Sequence, residues 1–321
     1  MKYSFCGLSG LQLPLLSLGL WHNFGLNDNF EEANKMICHA FDKGVTHFDL
    51  ANNYGPPPGS AETNFGKILK ANLASHRDEM IISSKAGHLM WPGPYGDGSS
   101  RKNLMASINQ SLKRTGLEYF DIFYSHRYDN VTPIEETMQA LIDIVKQGKA
   151  LYIGISKYPP KEAERAMKIL IDQHVPCLIF QDKYSMLNRS PEKELFNVVQ
   201  KNGTGFIAFS PLAQGLLTDK YLNGIPPKSR AANPEGFLKK EQVTQDIVSI
   251  VKQLSQIANE RNQSLAQMSL AWALRNEVVT SLIVGVSSVK QLDDNLKTID
   301  NLSFSDQQLM KIDSILDGTV H

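Results

Sequence analysis

Four side chains in this sequence combine into a chemistry that none performs alone: the carboxylate of Asp49, the phenol of Tyr54, the amine of Lys85 and the imidazole of His126. A free tyrosine, with a pKa of about 10, is a poor acid at neutral pH. A nearby ammonium favours the phenolate and is expected to lower that pKa, while a carboxylate holds the ammonium charged and in place. The set therefore reads as a proton donor aimed at a carbonyl oxygen, with His126 as a second group that orients the same oxygen.

Such a set needs a scaffold that brings distant residues to one rim. Each of the four stands at or just past an apolar run of strand character: Asp49 ends the run from Val45, Lys85 the run from Met80 and His126 the run from Phe120. Tyr54 follows five residues after Asp49 in a Gly/Pro-rich loop. Strand runs alternate with helical periodicity along the chain. Strands are expected at 15–20, 45–49, 80–85, 120–126, 150–155, 177–181, 205–209 and 281–284, with Gly116 and Gly148 closing two of the helices between them. Residues 1–14, broken by Gly7 and Gly10, read as a small hairpin plugging the bottom of a barrel. The fold expected is an α/β (β/α)8 TIM barrel spanning 1–321 as one domain, with an N-terminal β-hairpin and long loops on its C-terminal face, where sites form in that architecture.

The totals exclude other classes. Lys+Arg 33 against Asp+Glu 33 leaves no net charge and no basic stripe, which argues against a nucleic-acid partner. Three cysteines, Cys6, Cys38 and Cys177, without CxxC spacing read as reduced thiols, and no metal site is expected. Gly7, Gly10 and Pro14 interrupt any apolar N-terminal stretch, so neither secretion nor membrane insertion is expected and the cytoplasm is the expected location.

The order Asp49, Tyr54, Lys85, His126 resembles the catalytic tetrad of the aldo-keto reductases. The words GLWHNFG (19–25), FDLANNYGPPPGSAE (48–62), MWPGPYG (90–96), LEYFDIFYSHR (117–127) and PLAQGLLTDKYLNGIP (211–226) are similar to one branch of that family. That branch holds the bacterial L-glyceraldehyde 3-phosphate reductases and, more distantly, the β-subunits of voltage-gated potassium channels. The resemblance runs from about Tyr3 to Leu316. It implies NADP(H)-dependent reduction of small aldehydes such as L-glyceraldehyde 3-phosphate or methylglyoxal, in a homo-oligomer. The alternative it leaves open is a nucleotide-sensing channel subunit with little turnover.

No G-x-G-x-x-G follows an early strand, so a nicotinamide cofactor would be held by barrel loops. The resemblance implies Ser156 and Gln181 at the carboxamide, Tyr184 or Phe209 stacked on the nicotinamide, and Ser210, Leu212, Gln214 and Lys220 around the pyrophosphate. It assigns Gly285, Ser287, Gln291, Asp294 and Asn295 to the adenosine end. The sequence departs from the family at Lys157, where many members have Asn, and at Gln291, where many have an Arg for the 2′-phosphate of NADP. Ser287, Lys290 and Arg230 are the substitutes expected there. Trp21 reads as a contact for cofactor and substrate, against an ordinary core aromatic. Two intervals, 86–100 and 210–242, are too long for plain connections. The first reads as an aromatic lid carrying Trp91 and Tyr95, and the second, with Lys220, Lys228 and Arg230, as a fold over a phosphate-bearing ligand. Arg127 reads either as a substrate-phosphate contact or as half of a rim salt bridge. The stripe Leu265, Met268, Ser269, Trp272 and Leu274 reads as a helix face packed on the barrel.

Overall fold

Parallel strands covered on both faces are continuous in apolar residues, and the strand runs of this chain have that character. In a computed structural model, which describes residues 1–227, 229–233 and 236–317, eight of them close into a barrel. They are β3 (Leu16–Gly19), β4 (His47–Asp49), β5 (Ile81–Ala86), β6 (Phe120–Ser125), β7 (Ala150–Ser156), β8 (Cys177–Lys183), β9 (Gly205–Phe209) and β10 (Val279–Val284), with β10 pairing back to β3. Every pairing is parallel, and the registers set Asp49 opposite Ser83, Lys85 opposite Tyr124 and Ser156 opposite Gln181. The C-terminal strand ends therefore share one rim.

The hairpin of β1 (Tyr3–Phe5) and β2 (Gln12–Pro14) is antiparallel and closes the other end. Cys6 and Leu13, both without exposure, cluster with Ile122, Leu178, Ile179, Ile207 and Ile283. The helices α1 (Phe30–Asp42), α2 (Ser60–Ile68), α3 (Arg101–Thr115), α4 (Ile134–Lys146), α5 (Pro160–Asp172) and α6 (Leu195–Lys201) follow β3 to β8 in turn. Their starts and stops are locally encoded. Asn29 and Ser100 accept the N-terminal N–H groups of α1 and α3, and Gly116, at φ 73°, closes α3 with its N–H on the Leu112 carbonyl.

The chain after β9 departs from a plain repeat. Residues 210–242, expected as one long loop, fold into short 3₁₀ turns at Ala213–Gly215, Asp219–Tyr221, Arg230–Ala232 and Lys240–Gln242. Two helices, α7 (Gln245–Glu260) and α8 (Leu265–Leu274), then precede β10. The α8 stripe is a packing face, with Leu265, Met268, Ser269 and Trp272 buried. After β10 come α9 (Val289–Leu296) and α10 (Asp306–Asp317), which packs on α7. Among the described residues no helix is long and apolar enough to cross a membrane, and no His/Cys/Asp/Glu group has the geometry to hold a metal ion. Lys228 lies outside the described residues.

Candidate active site

Alternation along a strand sends residues two apart to the same face, and His47 and Asp49 both enter the barrel interior from β4. Asp49 closes that strand with its side chain almost wholly buried, and Lys85, one residue before the end of β5, has no exposure at all. Their ion pair is 2.6 Å long, and a second 2.6 Å bond joins Lys85 Nζ to the Leu50 carbonyl. Asp49 also accepts from Ser83 Oγ at 2.7 Å and from Gln181 Nε2 at 3.3 Å. A buried ion pair needs such additional bonds to offset its desolvation, and this one has them.

Tyr54 stands on the loop that leaves β4. Its N–H donates to the Ala51 carbonyl at 3.1 Å and its own carbonyl accepts from Gly59, so the backbone turn fixes the side chain at the rim. Lys85 Nζ sits 5.1 Å from the centre of its ring, and the His126 ring approaches it edge-on at 6.1 Å. The Tyr54 hydroxyl makes no hydrogen bond with any described residue. His126, just past β6, is bonded through its N–H to the Ala86 carbonyl at 2.8 Å and is 4% exposed, with Nδ1 unpartnered.

The electrostatics differ from the sequence expectation in one respect. The Tyr54 pKa is raised well above the ordinary value, first by burial and then by the Asp49 charge, instead of being lowered by the ammonium. Geometry supplies the reason: Lys85 directs its short bonds to Asp49 and the Leu50 carbonyl and lies against the ring of Tyr54, making no bond to its oxygen. Tyr54 is thus held as a neutral phenol with its proton in place. His126 is also neutral, its pKa pushed well below the ordinary value by burial and then by the charges of Lys85, Lys157, His88 and Arg127. Burial lowers the Lys85 pKa, with Asp49 opposing it by charge and hydrogen bond.

Below Asp49 a file of buried polar groups runs down the barrel. His47 Nε2 meets Ser83 Oγ at 3.0 Å, its Nδ1 meets Ser17 Oγ at 2.9 Å, and Ser281 links Ser17 to the Pro14 carbonyl. Sequence reasoning missed His47, although its place two residues before Asp49 was a signal.

Opposite this cluster the strand ends β7 to β10 line a second part of the rim. Ser156 has no exposure and its Oγ has no partner, and Asn295 is 3% exposed with its Nδ2 unpartnered. Buried polar groups in native proteins are nearly always hydrogen-bonded, so both atoms have capacity for a further partner. Phe209 ends β9 at the rim, half-buried. Tyr184 is corrected: it has no exposure, stacks on Trp272 at 5.5 Å and donates its hydroxyl to Glu192, a core position that cannot offer a ring face to a ligand. After β9, Ser210, Ala213 and Gln214 all take left-handed backbone, which non-glycine residues adopt at a cost and which gathers at functional sites. Leu212 packs partly buried in this turn, and the Lys220 side chain meets no described partner.

At the start of α9, Ser288 caps the helix by accepting from the Gln291 N–H, while Gln291 Oε1 accepts from both the N–H and Oγ of Ser287. Lys290 and Lys297 both pair with Asp294, so Lys290 is not a free cation. The Arg230 side chain makes no hydrogen bond or ion pair with any described residue, and its Nη2 lies 3.6 Å from where a Gly285 Cβ would stand.

The two long segments also differ from expectation. No ring contact joins Trp91 to Trp21, Tyr54 or His126 among the described residues, and Tyr95 is exposed. The aromatic this loop presents to the site is His88, whose ring meets His126 edge-on at 4.4 Å. Gly87 makes that possible: its φ of 134° turns the chain beside Ser99 and the His126 backbone, where a side chain is strained. From the second segment Phe237 lies over Trp21 at 4.7 Å, and Trp21 stands 6.2 Å from Tyr54. Arg127 forms the rim salt bridge with Asp97 at 2.8 Å. Loop residues such as His88 and Phe237 carried no pattern that pointed to them.

The structure is a closed (β/α)8 barrel with a buried lysine–carboxylate pair, a phenol and an imidazole on its C-terminal rim, and the sequence comparisons make it an oxidoreductase. The chain belongs to the aldo/keto reductase family, whose profile matches residues 15–317. It is 53% identical over its whole length to an L-glyceraldehyde 3-phosphate reductase of Escherichia coli O157:H7 and 52% identical to that of strain K12, covering 94% of each. It is also 35% identical, over 99% of its length and 94% of the relative, to a putative voltage-gated potassium channel subunit beta of Schizosaccharomyces pombe.

Proposed function

We propose that this oxidoreductase reduces short aldehydes, L-glyceraldehyde 3-phosphate and methylglyoxal-like compounds among them, with NADPH, and that Tyr54 is the proton donor. The observation that supports it most is the neutral Tyr54 phenol, its hydroxyl unpartnered and its ring beside both Lys85 and His126.

The residues on the β7–β10 side fit a nicotinamide dinucleotide. Ser156 and Gln181 would hold the carboxamide, Phe209 the nicotinamide face, Ser210, Leu212, Gln214 and Lys220 the pyrophosphate, Gly285, Ser287, Gln291 and Asn295 the adenosine, and Arg230 the 2′-phosphate. The orphaned Ser156 Oγ and Asn295 Nδ2 are what such a ligand would satisfy, and the first turn of α9 offers free N–H groups to a phosphate. When bound, NADPH supplies the hydride.

The protein's part is to orient and to donate a proton. A carbonyl oxygen between Tyr54 and His126 accepts two hydrogen bonds from neutral donors, which strengthen as the oxygen becomes an alkoxide. Tyr54 then releases its proton to that oxygen, and Lys85, held by Asp49, stabilises the phenolate left behind. Trp21 and Phe237 cover the opening and exclude water. The test is the loss of NADPH absorbance on mixing with L-glyceraldehyde 3-phosphate. Turnover is expected, faster than with NADH; none with either nucleotide would overturn the reading.

A further inference from the structure

Where the family commonly places Asn, this chain has Lys157, and the backbone there is left-handed at φ 56°. Asn and Gly enter that conformation at little cost, whereas Lys does so at a penalty. The side chain is therefore where to look for the compensating role. Its ammonium lies 5.4 Å from the centre of the Phe209 ring and 3.4 Å from His88 Nε2, over the barrel mouth. An ammonium can only donate, so His88 Nε2 accepts and the His88 proton sits on Nδ1. Two of the three N–H bonds of Lys157 remain uncommitted, and no described carboxylate forms an ion pair with it.

Arg127 stands behind the same loop. Its Nε is bonded to the Gly87 carbonyl at 2.9 Å and its Nη2 to Asp97 at 2.8 Å, while Nη1 has no described partner. His88 connects this cationic corner to the reacting centre, because its other contact is the edge of His126 at 4.4 Å. One imidazole thus separates the ammonium from His126.

We propose that Lys157, oriented by His88 and backed by Arg127, is the anion subsite that selects aldehydes carrying a terminal phosphate. The charges agree. His88 is held neutral, its pKa lowered to about 4 by burial and then by Lys157 and Arg127, so it does not compete for the anion. Burial and then the Lys85 charge lower the Lys157 pKa, with Asp182 opposing; a bound phosphate would raise it again. The proposal rests on the reductase reading above and names the feature of substrate it favours.

The test compares L-glyceraldehyde 3-phosphate with L-glyceraldehyde, the same three carbons without the phosphate, in the wild type and in Lys157→Asn. Asn suits the left-handed backbone, so the variant should fold. Losing a charge-assisted contact should cut the ratio of the two kcat/KM values roughly 30-fold. An unchanged ratio, including an equal fall for both substrates as a cofactor contact would give, overturns the subsite. A second arm needs no turnover: glycerol 3-phosphate is titrated onto NADP-loaded protein, followed by tryptophan fluorescence. Binding weakened roughly 30-fold in Lys157→Asn supports the subsite, and binding unaffected by the substitution overturns it. If the wild type turns over neither aldehyde, the reductase reading fails, and this second arm still decides the subsite.

Discussion

The two halves of the barrel rim are built on opposite plans. On the β4–β6 side, Asp49 accepts from both Lys85 and Ser83 in full burial, so the charged centre is bonded within itself, although His126 Nδ1 beside it has no partner. On the β7–β10 side, Ser156 and Asn295 carry buried atoms without partners, the side chains of Arg230 and Lys220 meet no described partner, and four non-glycine residues, Lys157, Ser210, Ala213 and Gln214, have left-handed φ. The first half is organised in advance for a reaction in which little should move, and the second keeps its polar capacity open for something that arrives. Under the proposed function, chemistry and recognition would divide along the same line.

If that contrast is right, the largest effects should come from the closed half. Lys85→Met would strand the Asp49 carboxylate in the interior, and stability should fall by about 3–5 kcal/mol. Adding Asp49→Asn should recover most of that loss in chemical denaturation without restoring turnover. A double variant as unstable as the single one would show that the pair is not the source of the cost.

The polar file below Asp49 sets the next effect. His47 has no exposure and its pKa is lowered to about 4, first by burial. Its folded pKa lies below its unfolded one of about 6.5, so the stability that goes with the neutral form is present above pH 6.5 and drains away as pH falls towards 4. Between pH 7 and 4.5 this one group should remove about 2 kcal/mol. His47→Gln should therefore lose less stability over that window than the wild type, read by thermal unfolding at the two pH values. Equal losses would place the acid sensitivity elsewhere.

The open half should respond in binding and hardly in stability. Arg230→Ala is expected to raise the KM for NADPH about tenfold, the loss of one charge-assisted bond, with little change for NADH and an unfolding midpoint close to the wild type. A matching rise with NADH would remove the 2′-phosphate from the account.

The sequence disclosed the closed half and blurred the open one for a physical reason. Asp49, Lys85 and His126 each terminate an apolar strand run, and parallel strands of a barrel can only bring such ends to one rim. Tyr184 shows the limit. It follows directly after β8, as a rim residue would, yet the chain turns it inward onto Trp272 of α8, a contact across 88 positions that no local pattern encodes. His88 and Phe237 reach the site from loops, where side-chain direction is set by tertiary contacts. The Tyr54 pKa was misjudged because proximity of an ammonium was legible but its bonding to Asp49 and Leu50 was not.

The most direct measurement is a single-turnover experiment with Tyr54→Phe, NADPH and L-glyceraldehyde 3-phosphate. The account predicts that nucleotide binding, followed by fluorescence, is near that of the wild type while the oxidation of NADPH slows by roughly a thousandfold, the scale of a lost general acid. Oxidation at a near-normal rate in a folded Tyr54→Phe protein would contradict it, and tight nucleotide binding without turnover in the wild type as well would favour a binding role over catalysis.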